Sequence, residues 1–201
     1  MTRIVERDEA LRLLLDGGVV ALPTDTVYGV GASLVHADAV ASLFLLKGRP
    51  VGVPLPVLVH ALSPIQEIDV EWSGLAQLLS EEFWPGPLTI VVPASRELAL
   101  SVGGSGDTVG VRVPDDELLL SLLRESGPLA VTSANAHGEP PCHSAQEVLA
   151  ALSGDRLAGV LDGGERRGEV STVVDVSDSS WRVLREGAIT VDRIAAALEA
   201  S

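Results

Sequence analysis

The chain has 201 residues, 46% of them apolar and only 3% aromatic, so a sizeable core built from Val, Leu and Ala in one domain (residues 1–201) is expected. A formal net charge of −14 argues against unaided, high-affinity binding of nucleic acid, although a basic pocket inside an acidic exterior is compatible with it. Cys142 is the single cysteine, which excludes an intramolecular disulfide; there is no signal-peptide core and no apolar run of about 18 residues, so a cytoplasmic protein without a membrane partner is expected.

Two periodicities alternate along the chain. Glu6–Leu15 carries a helical leucine face stopped by Gly17-Gly18, and Val19–Leu22 reads as a short buried strand ended by Pro23. Ala37–Leu46 is helical, with Val40, Leu43, Phe44 and Lys47 at i, i+3, i+4, i+7, so its last turn delivers Lys47. Pro54–Val59 and Leu88–Val92 read as buried strands with a helix near Ser73–Phe83 between them. Val109–Val113 is a strand, Asp116–Arg124 a helix with acids in its first turn, and Leu129–Thr132 a strand. Ala145–Leu152 is helical, Ala158–Leu161 and Thr172–Val176 are strands, Trp181–Leu184 offers one more, and Ile194–Glu199 closes as a helix. Mixed α/β with a central sheet follows, without a strand order.

Five segments place polar groups at the ends of apolar strands. Pro23–Gly31 (PTDTVYGVG) supplies two hydroxyls, a carboxylate and two glycines, which suits a ligand crevice or an Asx/Ser/Thr turn with glycines for tight bends. Lys47-Gly48-Arg49-Pro50 holds the only lysine of the chain, and a point charge two residues from a planar fork of donors suits an anion as well as a helix end. Thr108–Arg112 puts an arginine into an apolar strand, either on an exposed edge or buried beside an acidic partner. Val131–Asn135 offers free backbone N–H groups for an anion nest, or a structural turn. Ser171-Thr172 opens a strand, and Arg185 ends the next.

Other features point to no chemistry. Gly103–Gly106 lacks the Gly-Lys-Ser/Thr of a phosphate-binding loop and reads as a flexible connection. His36, His60, His137 and His143 have no evident nucleophile to serve, and Cys142-His143 has no companion ligands for zinc. Asp115-Asp116 and Glu81-Glu82 read as helix-start and solvated charges.

Taken together, PTDTVYGVGA, KGRP, FWPGPLTIVV, VGVRVP, AVTSAN, STVVD and VLREG resemble the YrdC-like family, whose central members are threonylcarbamoyl-AMP synthases. These stretches occur in the family's order over a core of about residues 19–187. The resemblance implies a twisted mixed sheet flanked by helices around a deep basic cavity, in a member without the further C-terminal domain of longer relatives. It implies a nucleotidyltransferase that makes threonylcarbamoyl-AMP and pyrophosphate from L-threonine, bicarbonate and ATP, with Mg²⁺ carried on the triphosphate. Separate transfer proteins then modify tRNA, so no stable direct tRNA binding is expected.

The match also implies residue roles. Lys47 and Arg49 would hold phosphates, and Arg112 would clamp the threonine carboxylate. Thr26, Val131 and Ser171 would line the threonine side, and Thr108, Ser133, Asn135 and Arg185 would face the nucleotide. Val53 departs from the Asn or Lys of relatives, a lost contact worth about 1–3 kcal/mol if it bonded a phosphate. Leu58 stands where some relatives have histidine, and Pro141 where others have serine. A non-catalytic nucleotide- or RNA-binding paralogue is the alternative; carbamoyl-adenylate chemistry on another acceptor is a third reading.

Overall fold

The structure is a computed structural model that describes residues 2–48, 52–63, 65, 68–136, 138–152 and 154–199. The strands are β1 (Ile4–Val5), β2 (Val20–Leu22), β3 (Gly29–Ser33), β4 (Val57–Leu58), β5 (Leu88–Pro93), β6 (Thr108–Arg112), β7 (Leu129–Ser133), β8 (Gly159–Leu161), β9 (Thr172–Asp175) and β10 (Arg182–Arg185). They form one mixed sheet in the order β1-β8-β2-β3-β7-β4-β6-β5-β9-β10. Four pairs are parallel (β1/β8, β2/β8, β4/β6, β5/β9) and the other five antiparallel. The helices are α1 (Arg7–Leu15), α2 (Ala37–Lys47), α3 (Gly74–Phe83), α4 (Arg96–Ser101), α5 (Glu117–Ser126), α6 (Ala145–Ala151) and α7 (Val191–Glu199).

Helix starts follow from short polar side chains. Ser73, Ser95, Asp116 and Ser144 each accept a hydrogen bond from the backbone N–H three residues on, which satisfies a donor that the first turn leaves unpaired. Asp116 therefore caps α5 instead of opening it. Helix α2 buries Val40, Leu43, Phe44 and Lys47, the face its spacing predicts, and ends at Gly48 with φ 61°.

Three elements were not visible in the periodicity. Strand β1 has two residues, and α4 has six. Strand β3 lies where Pro23–Gly31 reads as crevice or turn, and its glycines serve close approach instead of bends: a Cβ on Gly29 would stand 2.8 Å from Val131 Cγ1. Gly103–Gly106 is likewise no loose connection. The Phe44 ring packs on Gly103, and Gly52 bridges to Gly104.

Strand alternation divides the sheet into two faces. Leu88, Ile90 and Val92 of β5, Val109, Val111 and Val113 at β6, and Thr172, Val174 and Val176 at β9 are all buried in the core. Helix α3 packs against β5 and against α7, and α1 packs against α5 and β8. The residues between them, Thr89 and Val91, Thr108, Gly110 and Arg112, and Ser171, Val173 and Asp175, face a cavity on the other side. Among the described residues no helix is long and apolar enough to cross a membrane.

Candidate functional site

The cavity has a volume of about 510 Å³ and is walled by strand residues of the sheet together with the segment between β2 and β3. Among the described residues its charged lining is Arg112, Arg182 and Arg185 against one carboxylate, Asp175. Gly110 leaves it open: a Cβ there would stand 2.9 Å from Thr89 Cγ2.

Arg112 lies on its floor, at 6% exposure. Strand β6 is interior, between β4 and β5, so the exposed-edge reading of Arg112 gives way to the buried one. Its Nη2 donates to Asp25 Oδ1 at 2.6 Å, its Nε to Gly86 O at 2.9 Å, and its Nη1 reaches Thr26 Oγ1 at 3.5 Å. Burial pulls the guanidinium pKa down, and the adjacent Asp25 carboxylate opposes that fall. An arginine held at three nitrogens on the floor of a cavity is a preorganised fork for a carboxylate or phosphate.

Lys47 enters from the last turn of α2 and is 5% exposed. Its Nζ donates to Ser133 O (2.6 Å), Ser133 Oγ, Thr132 Oγ1 and Asn135 Oδ1 (3.1 Å each). Thr132 and Ser133 line the cavity, so the ammonium stands one hydrogen bond behind its wall. Asn135 is equally engaged: its Oδ1 accepts from Ser133 Oγ at 2.6 Å and its Nδ2 donates to the carbonyls of Ala136 and Glu139. The backbone N–H groups of Val131, Ala134 and Asn135 are already paired, with Pro56 O, Tyr28 O and Ser133 O, so the turn reading of this segment holds and the anion nest gives way to it. Arg49 and His137 lie outside the described residues.

Thr26, Thr108, Val131, Ser171 and Arg185 all line the same cavity. Ser171 Oγ is 3.1 Å from Thr89 Oγ1, and Arg185 Nη2 donates to Ser171 O at 2.7 Å. A register shift between Val183 and Arg185 breaks the alternation of β10, so Arg185 joins Arg182 and Leu184 on the cavity side. Val53 and Leu58 also line it, the former 57% exposed, the latter buried.

Thr24, Thr89, Asp175 and Arg182 are cavity residues that sequence reasoning did not single out. For Asp175 the available signal was the spacing in STVVD, where alternation places it on the face of Ser171; Arg182 had no such signal, because strict alternation would set it opposite Arg185. Arg182 Nη2 donates to Asp175 Oδ2 at 2.6 Å. Burial pushes the Asp175 carboxyl up, but hydrogen bonds from Ser177 and from Arg182 outweigh it and hold the group below its usual range.

Burial raises the Cys142 thiol, with Glu147 adding to the rise and Lys47 opposing it, so a thiolate is disfavoured. His36 Nε2 meets Leu15 O and His143 Nδ1 meets Arg166 O, each at 2.8 Å. No cluster of three or more His, Cys, Asp or Glu suited to a metal occurs among the described residues.

The family model Sua5_yciO_yrdC, described as "Telomere recombination", matches residues 12–187. The chain is 40% identical over 193 residues to a threonylcarbamoyl-AMP synthase of Bacillus subtilis, covering 94% of this chain and 56% of that protein. It is 40% identical over 183 residues to a putative threonylcarbamoyl-AMP synthase of Mycobacterium tuberculosis (strain H37Rv), covering 90% of this chain and 84% of the relative. Among solved structures, P. abyssi Sua5 complexed with L-threonine superimposes with a TM-score of 0.90 at 35% identity, covering 98% of this chain and 60% of that one. The chain therefore spans little more than half the length of the Bacillus and P. abyssi proteins. With its ten-stranded sheet, its cavity and this match over most of its length, the chain belongs to the Sua5/YciO/YrdC family.

Proposed function

We propose that the protein is an L-threonylcarbamoyladenylate synthase, acting on L-threonine, bicarbonate and MgATP. The observation that carries this reading is a single cavity that joins the buried fork of Arg112, with Thr26, Val131 and Ser171, to Thr108, Ser133 and Arg185. The names of the relatives and the threonine complex of P. abyssi Sua5 support it.

In this reading Arg112 takes the threonine carboxylate. The amine and bicarbonate form a carbamate with loss of water. A carbamate oxygen then attacks the α-phosphorus, forming a P–O bond as the bond to the β-phosphate oxygen breaks and pyrophosphate leaves. The step needs alignment and charge stabilisation more than a protein nucleophile. Lys47 moves from the acceptors of Thr132, Ser133 and Asn135 to meet phosphate, with Arg49 beside it in sequence. Thr108, Ser133, Asn135 and Arg185 serve the nucleotide side, Asn135 by steering Lys47 and Ser133. Asp175 is already held by Ser177 and Arg182, and magnesium enters as part of the nucleotide substrate. The product passes to separate proteins that modify tRNA in the cytoplasm, without stable tRNA binding by this chain.

Pyrophosphate release from ATP and bicarbonate, with and without L-threonine, tests the reading. Threonine-dependent release, with the adenylate seen by mass spectrometry, is expected; ATP binding without threonine-dependent turnover would make the chain a nucleotide-binding paralogue instead.

A further inference from the structure

The segment between β2 and β3 contains two buried threonines whose hydroxyl hydrogens can be assigned from their partners. Thr24 and Thr26 are 4% and 3% exposed, and both reach the cavity wall. Thr24 Oγ1 stands 2.6 Å from the carbonyl of Val27, which can only accept, so the one hydrogen of Thr24 is directed there. The same oxygen accepts the backbone N–H groups of Thr26 at 3.1 Å and Val27 at 3.2 Å.

Thr26 Oγ1 lies 2.9 Å from Thr24 Oγ1. Two hydroxyl oxygens at that separation repel unless one of them donates, and Thr24 has no second hydrogen to give. A Thr26 hydrogen directed at Thr24 satisfies this contact, sharing the two lone pairs of Thr24 with the longer N–H approaches of Thr26 and Val27. The lone pairs of Thr26 are left for other donors, in accord with Arg112 Nη1 approaching the same oxygen at 3.5 Å.

The Thr26 carbonyl accepts from Gly168 N at 3.1 Å, and a Cβ on Gly168 would stand 2.8 Å from Thr26 Cα. Gly168 is thus seated directly on the Thr26 backbone.

We propose that Thr24 is a positioning residue that fixes the Thr26 hydroxyl as a hydrogen-bond acceptor, so that the wall beside Arg112 selects an amino acid presenting a donor there. The inference rests on the reading that Arg112 holds the amino-acid carboxylate. An amino acid so held carries two donors within reach, its amine and, in threonine, its β-hydroxyl. A buried acceptor that finds no donor remains unsatisfied, which penalises ligands lacking one.

Calorimetric titration of the full chain with L-threonine, L-2-aminobutyrate and ATP separately tests this. Thr24→Val keeps the shape, removes the acceptor for Thr26 and frees its hydroxyl to turn. It is expected to weaken L-threonine binding about tenfold or more, while Thr24→Ser stays within about twofold of the parent and ATP affinity is unchanged in both. A loss confined to L-threonine assigns the donor to the β-hydroxyl; an equal loss for L-2-aminobutyrate assigns it to the amine. Unchanged threonine affinity in Thr24→Val, or threonine and ATP affinity lost together, overturns the proposal.

Thr26→Val provides a second route, because it leaves every bond of Thr24 to the backbone in place. It is expected to lose threonine affinity at least as strongly as Thr24→Val. Full retention there sinks the proposal even if Thr24→Val does not fold. Absence of L-threonine binding by the unaltered protein would instead overturn the functional reading, and the inference with it.

Discussion

Two arginine–aspartate pairs line or adjoin the same cavity at the same 2.6 Å separation, yet they have different physical consequences. In the Arg112–Asp25 pair the side chains are 7% and 12% exposed; in the Arg182–Asp175 pair they are 70% and 9% exposed. The first sits on an interior strand with neighbours on both sides, the second on the edge strand β10. On the floor, desolvation makes each charge depend on the other, and the pair acts as a fixed anchor. At the mouth, water screens the arginine, which can leave its partner at little cost. Distance alone does not rank an ion pair; burial does.

The largest effect should follow from removing the floor cation. Arg112→Ala is expected to reduce threonine-dependent pyrophosphate release by about a hundredfold or more, since charge-assisted bonds to a carboxylate are lost. ATP affinity should be largely retained. An equal loss of ATP affinity would undo the assignment of Arg112 to threonine.

Asp25→Asn leaves a buried guanidinium without its carboxylate and is expected to cost about 3 kcal/mol of stability in urea denaturation. Replacing both partners, Arg112→Met with Asp25→Leu, should recover most of that loss, because neither buried charge then lacks a partner. Additive losses in the double variant would show that the pair is weaker than its burial suggests.

Lys47→Ala should come next. It is expected to raise the KM for ATP about tenfold while changing that for threonine much less. The reverse ranking would assign the Lys47 side of the cavity to the amino acid.

The mouth pair should respond least. Arg182→Ala is expected to leave stability nearly unchanged, since an exposed ion pair is screened by water. Asp175 has a folded pKa below its unfolded one, so its contribution is present above the unfolded pKa and disappears as pH falls through the folded pKa. The stability difference between the parent and Arg182→Ala should therefore be seen near neutrality and shrink on acidification. A difference that persists at low pH would mean that Arg182 acts by packing, not charge.

Much of this site was legible in the chain because its segments announce themselves by local rules. The face of α2 that buries Val40, Leu43, Phe44 and Lys47 was readable from helical spacing alone. The helix starts read at Ser73 and Asp116 fall one residue early, because both residues are caps whose side chains bond the first turn. Arg112 stood out because charge is rare in apolar strands. Strand β3 was hidden because two of its five residues are glycine, which dilutes the alternating pattern that marks a strand. Its stability comes from pairing with β2 and β7, neither of which is visible in its own composition.

The sequence by itself determined the alternation of helix and strand, the acidic net charge and the ordered motifs that mark the family. Those depend on composition and on neighbours within a few residues. Only the tertiary structure decided that Arg112 meets Asp25 across 87 residues and that Thr26 Oγ1 comes within 3.5 Å of the same guanidinium. It also decided that a register shift in β10 puts Arg185 on the same side as Arg182. In a strand one residue of register reverses the face a side chain meets, so these outcomes belong to the pairing of distant segments.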